Sequence, residues 1–335
     1  MQQETPQVPS PATRPGPWRA RLGWAGGALL GLVLLVAVFF KAIDPGAFAE
    51  QVRAEGLDFL LSAQVIVWVA LAIEAGLGAA LLLGLRHRSV LWASAALVAF
   101  FLFLTGRAAW RAHAGIADPA AGCGCFGNLV DRSPTEAFLQ DLLMMVPALA
   151  LAWWGAAVPR RARAVAVAAV ATAGLAVATA IAAPQLPLDD LATRLSPGAE
   201  LTRLCVGRGV ERVCLSDLAP ELTQGRHLAV IGEVDDPRLA ARIPELNAYM
   251  ARREATNDAP PVTLLADFDL DRSRRLFFEW APSFALQAAP KALLRPLYRT
   301  LPRSFLVEDG RVVATYSGLP PQLAAAGAVP SGEPR

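Results

Sequence analysis

The sequence predicts an α-helical membrane bundle followed by a soluble α/β domain. Hydrophobic residues make up 54% of the 335 residues and charged residues only 18%, whereas a soluble protein carries about 25% charged residues. Nearly all of the apolar excess lies between residues 22 and 184. From residue 200 onward, strand-like and helix-like segments alternate, as they do in α/β domains. One part of the chain is therefore expected to lie in the lipid bilayer and the other outside it.

The predicted domain boundaries follow these changes in composition. Residues 1–21 hold five prolines and no apolar run, so we expect a disordered cytoplasmic tail. A signal peptide is the rival interpretation, but an apolar stretch of about 20 residues without a small-residue cleavage site favours an uncleaved span. The formal net charge of +2 gives no reason to expect a nucleic-acid partner. The other segments are a four-helix membrane domain at 22–158, a fifth span at 159–184, a linker at 185–200, a soluble domain at 201–320 and a tail at 321–335.

Five segments are long and apolar enough to cross the hydrocarbon core, which takes about 20 residues. They are 22–42, 58–85, 89–106, 137–158 and 164–183. Arginines cluster before the first span, between the second and third, and between the fourth and fifth, so these three places share one side. The positive-inside rule makes that side the cytoplasm. We expect a multi-pass protein of the bacterial inner membrane, with a cytoplasmic N-terminus and a periplasmic soluble domain. The arginines are Arg14, Arg19, Arg21, Arg86, Arg88, Arg160, Arg161 and Arg163.

Two cysteines, Cys123 and Cys125, are separated only by Gly124 in the loop between the third and fourth spans. The predicted orientation puts this loop in the same oxidising compartment as the soluble domain, where paired thiols form or exchange disulfides. A disulfide ring this small is tight, and strain makes a disulfide more oxidising. The pair is therefore predicted to be a thiol–disulfide exchange centre, with a permanent staple as the alternative. A metal site needs three or four ligands, and only His113 and Asp118 lie nearby, so none is predicted.

Three motifs of the membrane domain resemble the methylamine-utilisation MauE family, which belongs to the wider DoxX-like group of four-helix membrane proteins. They are CGCFG at 123–127, KAIDPGAF at 41–48 and EAGLG at 74–78, and the resemblance covers roughly residues 22–158. It implies a redox-associated membrane protein that supports disulfide formation or electron transfer while periplasmic proteins mature. In the family's namesake setting the client is methylamine dehydrogenase. Other DoxX-like proteins imply a quinone cofactor, so a quinone oxidoreductase is an alternative.

Glu74 lies near the middle of the second span, where a charged group costs several kcal/mol unless it is paired or protonated. We predict that it is a proton acceptor coupled to quinone or thiol chemistry. The alternative is a protonated side chain that is hydrogen-bonded to a neighbouring helix. Lys41 and Arg107 end their spans and are expected to extend to the membrane surface. Gly76 and Gly78 give the second span a small-residue face suited to close helix packing.

The segments after residue 200 indicate the order of elements in the soluble domain. A hairpin at 201–206 and 212–215 is followed by a strand at 227–232, a helix at 239–253, a strand at 261–266, a helix at 271–280 and a hairpin at 304–307 and 312–316. This order resembles a thioredoxin-like domain, and Pro302 stands where that family has its cis-proline. The family's CxxC motif opens the first long helix, but here that place holds DDPR at 235–238. Ordinary thioredoxin chemistry is not expected, since only a thiolate attacks a disulfide.

Cys205 and Cys214 lie on the two arms of the first predicted hairpin. If Gly209 and Val210 form its turn, the cysteines are directly opposite, with Cβ atoms about 5 Å apart. If Arg208 and Gly209 form the turn, the cysteines are diagonal and about 7–8 Å apart, and a disulfide would strain the hairpin. The pair is predicted to be a structural disulfide or, alternatively, to exchange electrons with the cysteine pair of the membrane domain.

Three aromatic residues stand near the end of the predicted helix 271–280. Phe277, Phe278 and Trp280 are expected to belong to the core or its rim rather than to a binding surface.

The functional hypothesis is a membrane protein that transfers electrons between thiols and disulfides for exported proteins. In this hypothesis Cys123 and Cys125 cycle between disulfide and dithiol, and electrons pass to or from a quinone or a partner redox protein. The soluble domain, which lacks CxxC, would dock a client or partner. The rival from another class is a non-enzymatic scaffold in which both cysteine pairs are static disulfides.

Overall fold

The computed structural model describes residues 17–116, 133–207, 212–256 and 259–321. Within them, five helices are long and apolar enough to cross a membrane, which confirms a multi-pass membrane protein. Helix α1 begins inside the predicted tail, and α4 continues seven residues beyond the predicted third span, because a helix does not end where its apolar stretch ends. The spans are α1 (Pro17–Ile43), α3 (Ala63–Leu82), α4 (Arg88–His113), α5 (Pro134–Trp154) and α6 (Ala162–Ala182).

A short helix that was not predicted, α2 (Pro45–Ala54), follows α1 directly. The junction is defined by Asp44 and Pro45. Proline disfavours the helical conformation for the residue before it and suits the first position of a new helix. The side chain of Asp44 caps α2, since its Oδ1 accepts from the Ala47 amide at 3.0 Å. Helix α2 buries Ala49 and Val52 in a cluster with Ala63 and Val67 of α3, so it covers one end of the bundle.

Glycines let the spans approach backbone to backbone. A Cβ at Gly31 of α1 would lie 2.5 Å from the carbonyl oxygen of Gly78 of α3, and a Cβ at Gly23 would lie 2.5 Å from the Cα of Gly155, just after α5. The predicted small-residue face of the second span is therefore confirmed at Gly78. Helix α1 packs against α3, α5 and α6, so it occupies the centre of the bundle.

Arg86 joins the three places where arginines cluster. Its Nε donates to the Gly155 carbonyl at 3.0 Å, its backbone amide donates to Ala157 at 3.0 Å, and its Nη2 lies 3.4 Å from the Ala20 carbonyl. The side chain is buried, and burial lowers the pKa of this guanidinium from its usual value. The start of α1, the α3–α4 turn and the α5–α6 turn therefore lie at one end of the bundle.

The soluble domain contains a five-stranded sheet made of β3 (Arg226–Ile231), β4 (Val262–Ala266), β5 (Ala285–Ala288), β6 (Arg303–Glu308) and β7 (Arg311–Ser317). The strands lie in the order β5-β4-β3-β6-β7. Strands β3, β4 and β5 are parallel, and β6 and β7 form an antiparallel hairpin. This arrangement, with the Leu301–Pro302 peptide bond in the cis form before β6, is a thioredoxin-like fold, as predicted.

Helices and a small hairpin cover the two faces of this sheet. On one face lie α9 (Pro237–Ala240), α10 (Ile243–Thr256) and α11 (Leu270–Trp280), and their core includes Leu246 and Leu276. The other face is covered by the hairpin β1 (Cys205–Val206) and β2 (Val213–Cys214), with α8 (Leu215–Leu218) and α12 (Lys291–Leu294). The edge strand β5 was not predicted, because its ALQA sequence has little β propensity.

Two predictions about this domain are wrong. Residues 185–200 are not a linker. They contain a short helix, α7 (Asp189–Ala192), and Leu195 lies in the core. Buried Arg303 donates to Asp190 Oδ1 at 2.9 Å and to the Leu195 carbonyl at 3.0 Å. Phe277 and Phe278 do not belong to the core, since they are 52% and 89% exposed. Helix α11 buries Leu276 instead, which lies on its opposite side.

Candidate functional site

The predicted exchange pair, Cys123 and Cys125, lies outside the described residues. The helix ends that flank it are described: α4 ends at His113, and α5 begins at Pro134. Near the end of α4, the Arg107 Nη2 lies 3.3 Å from Glu55 Oε2 and donates to the Glu55 carbonyl at 3.3 Å. Residues 117–132 therefore join two helix ends at the end of the bundle that α2 covers. Arg107, which was expected to extend to the membrane surface, is paired with Glu55 at the end of α2.

Glu74 in α3 is paired with Lys41 in the last turn of α1. The Nζ of Lys41 donates to both carboxylate oxygens, at 2.6 and 2.8 Å. Only 3% of Lys41 and 1% of Glu74 is exposed. The expectation that Lys41 extends to the membrane surface is therefore wrong, because an unpaired carboxylate at this depth would cost more than the burial of a lysine beside it.

Aromatic rings complete the surroundings of this ion pair. The Nζ of Lys41 lies 4.8 Å from the ring centre of Phe48 in α2 and 4.9 Å from that of Phe101 in α4. Both rings are within the range of a cation–π interaction. The pair therefore ties together α1, α2, α3 and α4. The motifs that contain Lys41 and Glu74 are separate in the sequence, and because the two charges are 33 positions apart, the sequence carries no local signal of their contact.

The Lys41–Glu74 pair does not fit a quinone-binding site. A quinone carbonyl would need a free donor and space for its ring, but Lys41 directs its ammonium at Glu74 and two aromatic rings. Both charged side chains are buried.

The soluble domain contacts the membrane domain at the junction between α1 and α2. Arg295, just after α12, donates from Nε to Glu50 Oε2 at 2.7 Å, and its Nη1 lies 3.8 Å from Asp44 Oδ2. Burial raises the pKa of Asp44, although Arg295 and the hydrogen bond from Ala47 act in the opposite direction. Arg299 donates to the carbonyls of Ala183 and Leu186, just beyond α6. The soluble domain is thus attached at the end of the bundle that α2 covers.

The position of the thioredoxin active site carries a capped helix rather than thiols. Asp236 Oδ1 accepts from the Arg238 amide at 2.8 Å, and its Oδ2 pairs with Arg238 Nη2 at 2.8 Å. Burial opposes ionisation of Asp236, but the hydrogen bonds from Arg238 outweigh it and lower the pKa of this carboxyl. Both carboxylate oxygens of Asp236 are therefore bound to Arg238, and residues 235–238 contain no thiol.

A cavity of about 240 Å³ lies beside cis-Pro302. Burial raises the pKa of the Tyr298 hydroxyl in its wall to about 12. Both acidic and basic side chains line the cavity, so its described wall carries charges of both signs. The lining residues are Gly232, Glu233, Asp267, Arg272, Lys291, Leu294, Tyr298 and Leu301.

Cys205 and Cys214 form a disulfide across the hairpin of β1 and β2. The two residues are directly opposite in the register of these strands, which selects the first of the two predicted registers. Both cysteines are buried. Thiol–disulfide exchange needs access to a sulfur atom, so this arrangement favours a structural disulfide over an exchanging one.

Comparisons with known proteins address the two halves of the chain separately. The family model described as methylamine utilisation protein MauE matches residues 19–155. One solved structure, described as that of a thiol:disulfide interchange protein DsbE from Chlorobium tepidum, is 19% identical. The match covers 40% of this chain and 92% of the other, with a TM-score of 0.30. No curated protein matches the chain.

Proposed function

We propose that this protein, a MauE-family membrane domain joined to a thioredoxin-like domain, supports thiol–disulfide exchange or electron transfer during the maturation of exported proteins. The reacting pair in this proposal is Cys123 and Cys125. One observation carries it: the helix ends that flank residues 117–132 lie at the same end of the bundle as α2 and the soluble domain. A thiol pair in that loop would share a compartment with the domain that meets its clients.

The orientation belongs to the same proposal. The three arginine-rich places at one end of the bundle support a cytoplasmic location for that end. The Cys205–Cys214 disulfide supports an oxidising compartment for the soluble domain. Together they favour a protein of the bacterial inner membrane with a periplasmic soluble domain.

The proposed exchange proceeds in two displacement steps. A client thiolate attacks one sulfur of the Cys123–Cys125 disulfide, which forms a mixed disulfide and releases the other cysteine as a thiolate. The second client thiolate then displaces the bound cysteine, so the client gains a disulfide and the pair becomes a dithiol. Two electrons pass from client to pair, and the two protons lost by the client thiols balance the two taken up by the pair. A partner redox protein restores the disulfide by the same steps, and the reverse order reduces a client.

Glu74 is proposed as a temporary proton acceptor, which would hold a proton released by a client thiol until the Cys123–Cys125 pair takes one up. Its carboxylate is held by Lys41, so a proton taken up by Glu74 would remove the charge that binds the ammonium. Proton uptake would therefore loosen the contact between α1 and α3. This coupling is a consequence of burial, because water would otherwise screen the change in charge.

The proposal is tested by trapping free thiols in spheroplasts with a maleimide–polymer reagent that shifts gel mobility. Wild type is compared with a Cys123→Ser/Cys125→Ser variant and a Cys205→Ser/Cys214→Ser variant, with and without mild reductant. We expect a partly reduced, readily reduced pair that disappears only in the first variant. If both pairs stay oxidised until the protein is denatured, the exchange proposal fails.

That second outcome would favour the scaffold alternative. The buried Cys205–Cys214 disulfide already has the character of a static link. A scaffold would also predict that the Cys123→Ser/Cys125→Ser variant leaves the oxidation state of exported proteins unchanged.

A further inference from the structure

The end of the bundle opposite to the soluble domain carries only positive charge in the described part of the chain. It is formed by the start of α1, the α3–α4 turn and the α5–α6 turn, which Arg86 joins. No aspartate or glutamate occurs in residues 17–27, 81–92 or 151–167. We call it the arginine end, after its seven arginines: Arg19, Arg21, Arg86, Arg88, Arg160, Arg161 and Arg163. None of them forms an ion pair with a described residue.

The rest of the chain does not supply the missing negative charge. At the other end of the bundle, Glu50 and Glu55 are paired with arginines, and the soluble domain is attached there as well. Residues 1–16, which precede α1, contain one glutamate and one arginine, so they add no net side-chain charge. The arginine end therefore attracts an anion from outside the chain.

Arg19 is held at this end with its hydrogen-bond donors available. Its guanidinium carbon lies 5.3 Å from the ring centre of Trp154 and 5.9 Å from that of Trp18. The two rings are in edge contact, with their centres 5.2 Å apart. Cation–π contacts position a guanidinium but provide no oxygen acceptor. Because Arg19 is also exposed, its N–H donors can bind a phosphate, whose geometry matches a guanidinium.

Arg86 adds an unsatisfied donor beside Arg19. Its side chain is only 5% exposed, and its Nη1 is buried without a hydrogen-bond partner among the described residues. Its Nε donates to the carbonyl of Gly155, which follows Trp154, and its Nη2 lies near the carbonyl of Ala20, which follows Arg19. The two arginines thus share the contact between the start of α1 and the end of α5. A buried cation without a counter-ion is costly, so an anion at this contact stabilises the bundle.

Tryptophans place the arginine end at the level of the lipid headgroups. Tryptophan is enriched where a span crosses the membrane–water interface. Five of the eight tryptophans lie at this end, and each is at least 36% exposed: Trp18, Trp24, Trp92, Trp153 and Trp154. The nearest anions are therefore the phosphates of the surrounding bilayer. A soluble polyanion would have to displace these headgroups before it reached Arg19.

We propose that the arginine end binds an anionic phospholipid, whose phosphate contacts Arg19 beside Trp154 and Arg86. An anionic lipid is selected over a zwitterionic one because the headgroup of the latter carries a cation of its own, which seven arginines repel. The proposal does not rest on the exchange chemistry, since the helix ends that flank Cys123 and Cys125 lie at the opposite end of the bundle.

Native mass spectrometry of the full chain in detergent tests the proposal. The probes are phosphatidylglycerol and phosphatidylcholine with the same acyl chains. We expect the first phosphatidylglycerol to bind about tenfold more tightly than the first phosphatidylcholine, equivalent to about 1.4 kcal/mol. Arg19→Gln/Arg21→Gln should remove most of this preference. The matched control, Arg53→Gln/Arg111→Gln, removes the same charge from the other end of the bundle and should retain it.

Thermal unfolding without added lipid shows whether both double variants are folded. The comparison of the two lipids on the wild type needs no variant, so equal affinities would by themselves overturn the proposal. It would also be overturned by a preference that survives in Arg19→Gln/Arg21→Gln or is lost equally in the control. Inorganic phosphate or a short oligonucleotide that binds as tightly as phosphatidylglycerol would instead indicate a site for a soluble anion and overturn it too. Cys123→Ser/Cys125→Ser should leave the lipid preference unchanged.

Discussion

The ammonium of Lys41 lies 2.6 Å from one carboxylate oxygen of Glu74 and 2.8 Å from the other, and this contact joins the first span to the second inside the bundle. Three residues further along, Asp44 lies 3.8 Å from Arg295 of the soluble domain. A single stretch of chain thus touches a buried ion pair on one side and the docked domain on the other.

Removing one member of the Lys41–Glu74 pair should destabilise the membrane domain. Glu74→Gln leaves a buried ammonium without its counter-ion, so we expect a loss of about 3–5 kcal/mol. Lys41→Met/Glu74→Leu should cost less than either single change, because no charge remains buried. Thermal unfolding in detergent measures both. The control is Arg107→Gln, which breaks a partly exposed pair and should cost about 1 kcal/mol or less; a Glu74→Gln effect no larger than this would contradict the prediction.

Loss of the Arg295 contacts should loosen the soluble domain from the bundle. Arg295→Ala removes the hydrogen bond to Glu50, and hydrogen exchange of the α2 amides should then rise about tenfold, since hydrogen bonds to charged groups contribute about 1.5 kcal/mol or more. The matched control is Arg311→Ala, which removes an exposed ion pair with Glu200 within the soluble domain. Equal exchange in the two variants would show that Arg295 does not hold the domain in place.

Asp44 should make stability depend on pH. Burial raises its pKa in the folded state, so the folded protein binds the proton more tightly than the unfolded one. Stability should therefore fall as pH rises from the unfolded pKa, about 3.9, to the raised folded value, and then level off. Asp44→Asn, which keeps a capping side chain, should lack this decline. The unfolding midpoint of both proteins is measured across acidic pH; parallel curves would contradict the assignment.

The Cys205–Cys214 disulfide should stabilise the soluble domain. Its two cysteines are nine residues apart, so the chain-entropy estimate for a loop of this length is about 2–3 kcal/mol. Cys205→Ala/Cys214→Ala should lower the unfolding free energy of the soluble domain by that amount and leave the redox state of Cys123 and Cys125 unchanged. The measurements are thermal unfolding and thiol trapping. A shift in the redox state of the membrane pair would instead indicate electron exchange between the two pairs.

The sequence by itself determined the five spans, the end of the bundle where the arginine clusters meet, the thioredoxin-like order of elements and the position of Pro302. It also reduced the hairpin of Cys205 and Cys214 to two registers. Each of these features depends on local composition, on periodicity or on a short motif, so a short stretch of the chain is enough to predict it. A span must match the thickness of the bilayer and a strand must match the two faces of a sheet, so each leaves the same local pattern in any sequence.

Only the tertiary structure decided which distant groups meet. Lys41 was expected at the membrane surface because a lysine at a span end usually extends there, and only the approach of α1 to α3 brings it to Glu74. Arg295 and Glu50 are 245 residues apart, and residues 185–200 join the core through Arg303. Phe278 was expected in the core or at its rim, yet it is 89% exposed and Leu276 faces the sheet instead. Hydropathy predicts which side chains avoid water. The packing of whole helices and strands determines which neighbours shield or pair them.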